Sequence, residues 1–308
     1  MSEKLIAVCV PTFMRDNLLR ECLLSIAELT LPRGHTINVV VADNDVNATA
    51  RKTSNSMAAT LPFTLHYFVH PKRGLSEVRN RLLDEALAMN ASLIAFVDDD
   101  ERVDRQWLLR HIENMEKYKA DVCCGPVRQV GEVSQKEKRK PTGSIPRYVS
   151  TNNVLFKSAL VSDQHLSFDP FFNFIGGEDF DFFDRSKNNG NSHIWVEEAL
   201  VLETITEERD NLSYLFYRHY TGGINNVLRF RRSHPWWQAW LKFLPRFLGK
   251  IVGACVYLLC AALRMNKPLA FNSVKKLASG MGYIAGLLNI VVERYREPDG
   301  KTRANSDS

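Results

Sequence analysis

Residues 93–100 read LIAFVDDD, a run of five apolar residues followed directly by three aspartates. A short apolar run of this kind is typical of a strand that is buried on both faces of a sheet and stops at Asp98. Alternate side chains share a face in extended backbone, so we expect Asp98 and Asp100 to point together and Asp99 to point away. Two such carboxylates repel each other unless a cation compensates, and a divalent cation that also binds phosphate oxygens suits them. The alternative interpretation is a solvated acidic turn that caps the next helix.

Similar apolar runs alternate with helical patterns over the first 130 residues. This alternation predicts βαβ units, and therefore an α/β fold with a mostly parallel, Rossmann-like sheet and helices on both faces. Such sheets bind ligands at the carboxyl ends of their strands, and Pro11, Thr12 and Asp43 follow the first two runs. The predicted strands are Leu5–Val10, Ile37–Ala42, Thr64–Val69, Leu93–Val97 and Asp121–Val127, and the predicted helices are Asn17–Leu29, Glu77–Met89 and Arg105–Tyr118.

The pattern becomes less regular after residue 130. The charged stretch Gly131–Ser144 is interpreted as an exposed loop. Beyond it we predict strands at Thr151–Phe156 and Ile194–Leu202 and helices at Glu178–Asn189 and Asn211–Phe230, the last one interrupted at Gly222-Gly223.

The basic excess of the chain belongs to its C-terminal segment. The 308 residues carry a formal net charge of +5, but residues 233–308 hold 11 Lys and Arg against 4 Asp and Glu, which is +7 and leaves −2 for the rest. This segment contains two uncharged apolar runs, Ile251–Leu263 and Leu277–Val292, and both are shorter than the about 20 residues that cross a bilayer. Because basic residues flank both runs, we predict helices that lie in the membrane interface. Buried helices of a soluble domain and a tight helical hairpin in the membrane are the alternatives.

The cysteines and the N-terminus both point to the cytoplasm. The six cysteines form no CxxC pair, and most lie inside apolar runs, so we expect buried free thiols in a reducing compartment and no zinc site. Residues 5–10 are too short an apolar run for a secretory signal peptide. We expect no nucleic-acid partner, because the basic residues lie on apolar segments and not on a polar face.

An ordered set of motifs resembles the family 2 glycosyltransferases with the GT-A fold, especially those that build bacterial exopolysaccharides such as succinoglycan. Together the motifs cover about residues 5–230. They are Val10-Pro11-Thr12-Phe13 with Arg15, Asp43-Asn44, Gly74-Leu75-Ser76 with Arg79-Asn80, Asp98-Asp99-Asp100 (the DxD motif), Thr151-Asn152-Asn153-Val154, Gly176-Gly177-Glu178-Asp179, Glu208-Arg209, and Arg218-His219-Tyr220-Thr221-Gly222-Gly223.

The resemblance implies a domain division and a set of binding residues. Residues 1–232 would be the GT-A domain, with a nucleotide-sugar-binding half at 1–130 and an acceptor-side half at 145–232, and residues 233–308 would be the membrane-associating segment. The metal, Mg²⁺ or Mn²⁺, would be bound by Asp100 and Asp98. Asp43 would hydrogen-bond the donor base, with Arg79 nearby. The remaining residues expected to contact the nucleotide-sugar are Pro11, Thr12, Arg15, Asp98, Asp99 and Asn153.

Asp179 is the candidate general base. Inverting transfer requires one carboxylate to accept the proton of the acceptor hydroxyl, and Asp179 stands in the first turn of a predicted helix, where the helix dipole favours its ionised form. The alternative is an acidic residue that only stabilises the helix N-terminus. Glu178 is a second candidate for the base, and it could instead orient the acceptor.

These expectations describe an inverting hexosyltransferase that takes its sugar from a UDP-sugar. The acceptor would be a lipid-linked oligosaccharide, and the enzyme would work at the cytoplasmic face of the bacterial inner membrane. The competing hypotheses are transfer to polyprenyl phosphate itself and a membrane-associated scaffold that keeps the fold without activity.

Overall fold

The structure, a computed structural model, describes residues 3–129, 139–204, 212–265 and 267–296. Most of the predicted loop at Gly131–Ser144, the Glu208-Arg209 motif and the last twelve residues lie outside the described residues.

The main sheet has seven strands within the described residues and is mixed. Its order is β3-β2-β1-β4-β8-β6-β9, and β8 runs antiparallel to both of its neighbours, whereas the other pairs are parallel. A second sheet has the order β5-β10-β7. The strands are β1 Lys4–Thr12, β2 His35–Asp43, β3 Thr64–Val69, β4 Leu93–Phe96, β5 Glu101–Val103, β6 Val122–Cys124, β7 Val127–Gln129, β8 Val154–Lys157, β9 His193–Trp195 and β10 Val201–Glu203.

Helices cover both faces of the main sheet, as predicted. The strand β1 shows why, because its side chains alternate between two hydrophobic clusters: Val8 packs with Leu19 and Leu23, and Cys9 packs with Leu82 and Phe96. The helices are α1 Asp16–Ala27, α2 Arg51–Ala58, α3 Leu75–Ala88, α4 Trp107–Tyr118, α5 Ala159–Ser162, α6 Glu178–Asn188, α7 Leu212–Ser233, α8 Trp236–Arg264 and α9 Lys267–Leu287. The α/β class is therefore confirmed.

The predicted strands Asp121–Val127 and Ile194–Leu202 are each divided between the two sheets. Asp121–Val127 becomes β6 and β7, separated by Gly125-Pro126. Pro126 cannot donate a ladder hydrogen bond, and Gly125 lies so close to the neighbouring backbone that a Cβ there would be 2.3 Å from the Ala199 carbonyl oxygen. The chain therefore changes sheets at this point.

The chain divides into two compact units. The first unit is Met1–Pro170 with Glu178–Ile205, and it contains both sheets. The second is Phe171–Gly177 with Thr206–Ser308, and it contains α7, α8 and α9. By compactness, α7 groups with the C-terminal helices, whereas the predicted division at residues 232 and 233 assigned it to the GT-A domain. That functional division stays a prediction.

In the second unit, the helices are longer than the sequence pattern indicated. Helix α7 runs without a break through Gly222-Gly223, so the predicted interruption is wrong. Helix α8 contains the whole apolar run Ile251–Leu263 and extends it to 29 residues, with a mean hydropathy of 1.7 over its most apolar window. Among the described residues, α8 alone is long and apolar enough to cross a membrane, judged by length and composition.

Candidate active site

The three aspartates and Glu101 form a tight turn at the end of β4, and we call these residues, 98–101, the acidic turn. The strand stops at Phe96, and the Glu101 amide donates to the Asp98 carbonyl oxygen at 3.2 Å. The predicted alternation is wrong, because the backbone turns here and is not extended. Asp99 and Asp100 instead share one partner, Arg15, whose Nη1 lies 3.1 Å from Asp99 Oδ1 and 2.9 Å from Asp100 Oδ2.

Thr12 and Arg15 are brought to this turn by the end of β1 and the start of α1. Thr12 Oγ1 donates to Asp99 Oδ2 at 2.8 Å, so both oxygens of Asp99 have partners within the protein. Burial lowers the pKa of Arg15, but the charges of Asp99 and Asp100 outweigh this effect and raise the pKa above its ordinary value. Arg15 is therefore a permanent cation beside the acidic turn.

Arg79 connects the acidic turn to the beginning of α6. It lies on α3 and is buried, so it is not a surface helix residue. Its Nη2 lies 3.4 Å from Asp98 Oδ1, and its Nη1 donates to Glu178 Oε1. One guanidinium thus contacts a predicted metal ligand and a residue of the predicted catalytic pair, and all three belong to the first compact unit.

Burial raises the pKa values of three carboxyl groups in this region. Burial raises the pKa of Asp98 to about 6; Arg79 opposes this rise, and Asp100 and Asp179 add to it. Burial likewise raises the pKa of Asp99 to about 6, against the effect of Arg15. Burial raises the pKa of Glu178 to about 7, although Arg79 lowers it. A positive ligand would therefore be favoured here, because it stabilises the ionised carboxylates.

Glu178 and Asp179 have different environments although they are adjacent. Glu178 is only 3% exposed, and its Oε2 has no hydrogen-bond partner among the described residues. Asp179 is half-buried in the first turn of α6, where its Oδ1 accepts from the Phe180 amide at 2.7 Å. The preceding Gly176 and Gly177 have φ values of +81° and +93°, a backbone conformation that favours glycine and explains the Gly-Gly of the motif.

Asn153 makes structural hydrogen bonds in this structure, and its role in nucleotide-sugar binding stays a prediction. Its Oδ1 accepts from Trp107 Nε1 at 2.8 Å and lies 2.9 Å from His111 Nε2. Its Nδ2 donates to the carbonyl oxygens of Pro126 and Ala199. An amide side chain offers two donors and one acceptor atom, and all of these have partners within the protein at this buried position.

Asp43 is also committed to the protein. It is fully buried, and its carboxylate accepts from the amides of Asp45 and Ala50 and from the hydroxyl of Tyr67. Asp43 therefore stabilises the turn that follows β2 in this structure, and its contact with a donor base stays a prediction. Pro11 lies in β1, paired in register with Ala42 of β2, and its contact with the nucleotide-sugar stays a prediction.

Two acidic residues of this region were missed by the sequence interpretation. Glu101 is buried, and its Oε2 accepts from the Asp98 amide at 2.9 Å, so it holds the acidic turn together. Asp45 is buried after β2, and its Oδ2 has no hydrogen-bond partner among the described residues. Glu101 could have been found as the fourth consecutive acid, whereas nothing in the local pattern distinguishes Asp45 from a turn residue.

The carboxylates at the acidic turn fit a metal that is completed by its substrate. In the part of the chain that the structure describes, no three His, Cys, Asp or Glu side chains are grouped so as to hold a metal ion. Asp98 and Asp100 supply hard oxygen donors, and Mg²⁺ characteristically takes one or two carboxylates together with substrate phosphates. The residues therefore fit an ion that arrives with a nucleotide better than one that is permanently bound.

Comparison with known proteins agrees with the motifs and the fold. Residues 7–170 match the family model described as glycosyl transferase family 2. The chain is 30% identical over 303 residues to the succinoglycan biosynthesis protein ExoM of Rhizobium meliloti (strain 1021), which covers 94% of each chain.

Solved structures show the same fold at low sequence identity. The mannosyltransferase PcManGT from Pyrobaculum calidifontis, in complex with GDP-Man and Mn²⁺, superposes with a TM-score of 0.67 at 16% identity and covers 92% of this chain and 87% of its own. TarS 1-349 of S. aureus gives a TM-score of 0.58 at 15% identity over 91% and 90% of the two chains. In complex with UDP-GlcNAc, the same protein gives 0.54 at 18% identity over 72% and 66%. The family model and the relative that matches almost the whole chain lead to one conclusion: this chain belongs to glycosyltransferase family 2.

Proposed function

We propose that this glycosyltransferase transfers a hexose, with inversion, from a UDP-sugar to a lipid-linked oligosaccharide during the synthesis of a bacterial cell-surface polysaccharide. The observation that carries the proposal is the Arg79 bridge, which joins Asp98 of the acidic turn to Glu178, the neighbour of Asp179. A residue predicted to bind the donor and a residue of the predicted catalytic pair thus contact one guanidinium. The similarity to a succinoglycan biosynthesis protein supports a role in polysaccharide synthesis. Among the fold neighbours, TarS is in complex with UDP-GlcNAc and PcManGT with GDP-Man, and a UDP-sugar is the donor that we propose.

Asp179 suits the role of general base better than Glu178 does. It is half-buried at a helix N-terminus, where the dipole favours a carboxylate, whereas Glu178 is buried against Arg79. In the proposed step, the acceptor hydroxyl oxygen bonds to the anomeric carbon while the bond from that carbon to the UDP oxygen breaks. The hydroxyl proton passes to Asp179.

Asp98 and Asp100 are the residues that would hold a divalent cation. When bound, Mg²⁺ or Mn²⁺ supplies positive charge to the departing diphosphate, so no protonated acid is needed there. Arg79 holds Asp98 on one side and Glu178 on the other. We therefore regard Arg79 and Glu178 as positioning residues.

The test is UDP release from a panel of UDP-sugars with Mg²⁺ or Mn²⁺, in the presence of a membrane lipid extract as acceptor. We expect Asp179→Asn to lower turnover by about 10²- to 10⁴-fold while UDP affinity is retained, and Asp100→Ala to lose metal-dependent UDP binding. Asp184→Asn is the matched control, because Asp184 is exposed on the same helix.

Two outcomes would redirect the proposal. Absence of both UDP release and metal-dependent UDP binding would count against a UDP-sugar donor. Transfer of sugar onto added polyprenyl phosphate, with no need for a preformed saccharide, would favour the polyprenyl phosphate acceptor.

We also propose that the C-terminal helices hold the enzyme on the cytoplasmic face of the inner membrane. An apolar stripe runs along the exposed side of α8, and we define it as Trp237, Leu241, Leu244, Leu248, Val252, Val256, Leu259 and Leu263. These residues recur every three or four positions, so they lie on one face of the helix. The buried cysteines of the first unit are free, as suits a reducing compartment.

A position in the plane of the membrane suits α8 better than a transmembrane one. Lys276 of α9 lies beside the middle of the apolar run of α8. Its ammonium is 5.3 Å from the centroid of the Tyr257 ring, and a methyl group on Gly253 would be 3.3 Å from its Nζ. If α8 crossed the bilayer, this charge would be carried into the hydrocarbon, at a cost of about 2.5–3.5 kcal/mol or more. Lying in the interface, the helix can bury the apolar stripe and keep Lys276 near water.

A further inference from the structure

Arg15 is bound to Asp100, one of the two carboxylates predicted to ligate a divalent cation. Its Nη1 lies 2.9 Å from Asp100 Oδ2 and 3.1 Å from Asp99 Oδ1, so one nitrogen serves two carboxylates of the acidic turn. Charge-assisted hydrogen bonds of this kind are stronger than those between neutral groups. In this structure a guanidinium therefore neutralises the acidic turn.

A metal ion on Asp100 Oδ2 would compete with Arg15 for that oxygen. A bound Mg²⁺ lies about 2.1 Å from its carboxylate oxygens, closer than the guanidinium nitrogen, and two cations sharing Asp100 would repel each other. Asp99 is fixed on its other oxygen by Thr12, and the side chains of Asp99 and Asp100 are only 5% and 7% exposed. The carboxylates are therefore the fixed partners.

Arg15 is the partner that is able to move. Its side chain is 41% exposed, and it precedes α1 in non-helical backbone, next to Met14, whose φ is +52°. A long, half-exposed side chain can exchange one ion pair for another without disturbing the core.

We propose that Arg15 is the resident counter-ion of the acidic turn, that its pairing with Asp100 and the binding of a divalent cation exclude each other, and that the released guanidinium pairs with the donor diphosphate. This inference rests on the metal dependence in the proposed function. It makes Arg15 a positioning residue with opposite effects on the two ligands. Arg15 weakens the binding of the bare metal ion and strengthens the binding of the nucleotide.

The test measures Mn²⁺ binding by the full-length protein without nucleotide, from the EPR signal of free Mn²⁺. We expect Arg15→Gln to lower the Kd for Mn²⁺ by about tenfold, the factor that one lost charge-assisted hydrogen bond represents. Arg15→Lys, which keeps the charge, should stay closer to wild type. UDP binding at saturating Mg²⁺, measured by calorimetry, should become weaker in Arg15→Gln, because the released guanidinium is then absent from the diphosphate.

The matched control is Arg110→Gln, an arginine on α4 that pairs with Glu113 and not with the acidic turn. It should leave both affinities unchanged. Equal or weaker Mn²⁺ binding by folded Arg15→Gln, including no detectable binding, would overturn the inference. If Arg15→Gln does not fold, Arg15 of the wild type still provides a test: its Nε–H NMR signal, assigned with Arg15→Lys, should shift on addition of Mg²⁺, and an unmoved signal at saturating Mg²⁺ would overturn the inference.

Failure of the inference and failure of the proposed function are distinguishable. Mn²⁺-dependent UDP-sugar turnover by the wild type, with Mn²⁺ affinity unaffected by Arg15→Gln, would leave the function intact and remove the counter-ion role. Loss of metal-dependent nucleotide binding in the wild type would contradict the function itself.

Discussion

At the scale of single residues, burial separates side chains that look equivalent in sequence. Glu178 and Asp179 are adjacent acids, but the first is buried against Arg79 and the second is half-buried at the start of α6. Burial raises the pKa of Glu178 to about 7. Because this value lies above the ordinary 4.5, the folded protein holds a proton on Glu178 between these two pH values that the unfolded chain releases.

The raised pKa of Glu178 predicts that stability falls as pH rises. Between about pH 4.5 and pH 7 the folded state binds more protons than the unfolded state, so this stabilisation is present at low pH and is lost through this range. Glu178→Gln cannot titrate, and we expect its stability relative to wild type to improve between pH 5 and pH 8, by up to about 3 kcal/mol. Urea unfolding of the metal-free proteins at each pH would measure it.

The control for this prediction is Glu113→Gln, because Glu113 is an exposed glutamate on α4. Parallel stability curves for wild type and Glu178→Gln from pH 5 to pH 8 would contradict the raised pKa.

At the scale of elements, glycine allows two helices of the second unit to touch along their backbones. A Cβ on Gly223 of α7 would lie 2.5 Å from the Ser279 carbonyl oxygen and 2.9 Å from the Gly282 Cα of α9. Gly282 is equally enclosed, since its Cβ would lie 2.1 Å from the Tyr220 carbonyl oxygen. The sequence pattern predicted a helix break at Gly222-Gly223, because glycine disfavours helix. The close packing of α7 on α9 compensates for this preference, and the helix continues.

This helix contact predicts opposite effects for two neighbouring substitutions. Gly223→Ala should destabilise the protein by about 1–3 kcal/mol, as overpacking does, because its neighbours are backbone atoms that cannot rotate away. Gly222→Ala has nothing within 4 Å of its Cβ and should be neutral or stabilising by up to about 1 kcal/mol. Thermal unfolding of both variants measures this difference. A Tm for Gly223→Ala as high as that for Gly222→Ala would show that the two helices are not closely packed in solution.

At the scale of the whole molecule, the two compact units differ in what they expose. The first unit buries its apolar residues on both faces of the main sheet. The second unit leaves the apolar stripe of α8 uncovered, and only 11% of the most apolar window of that helix is buried. Large exposed apolar surfaces mark sites of interaction, and the +7 charge of residues 233–308 adds attraction to anionic lipids.

The apolar stripe predicts how the protein binds vesicles. In flotation with phosphatidylglycerol and phosphatidylethanolamine vesicles, Leu248→Glu combined with Leu259→Glu should weaken binding at least about tenfold, because two exposed leucines that would enter the membrane are replaced by anions. The control is Leu24→Glu combined with Leu31→Glu, which makes the same change at exposed leucines of the first unit. Equal binding by wild type and the α8 variant would exclude the stripe as the membrane contact.

Much of the first unit could be predicted from sequence alone because its signals are local. The apolar runs that became β1, β2 and β4 and the helical periods of α1, α3 and α4 each lie within fifteen consecutive residues, and burial on both faces of a parallel sheet requires such runs. The order of the motifs indicated the family for the same reason, since each motif is a short contiguous segment.

Tertiary structure alone decided which side chains meet at the candidate site. Arg15 and Asp100 are 85 residues apart, and Arg79 and Glu178 are 99 apart. No local pattern predicts pairs so distant, because they depend on the sheet order that places β1 beside β4 and on the turn that ends β4. The same holds for Asn153, whose partners Trp107, Pro126 and Ala199 come from three other segments. Sequence determined which residue types stand at the strand ends, and the packing of distant segments decided which of them remain available to a ligand.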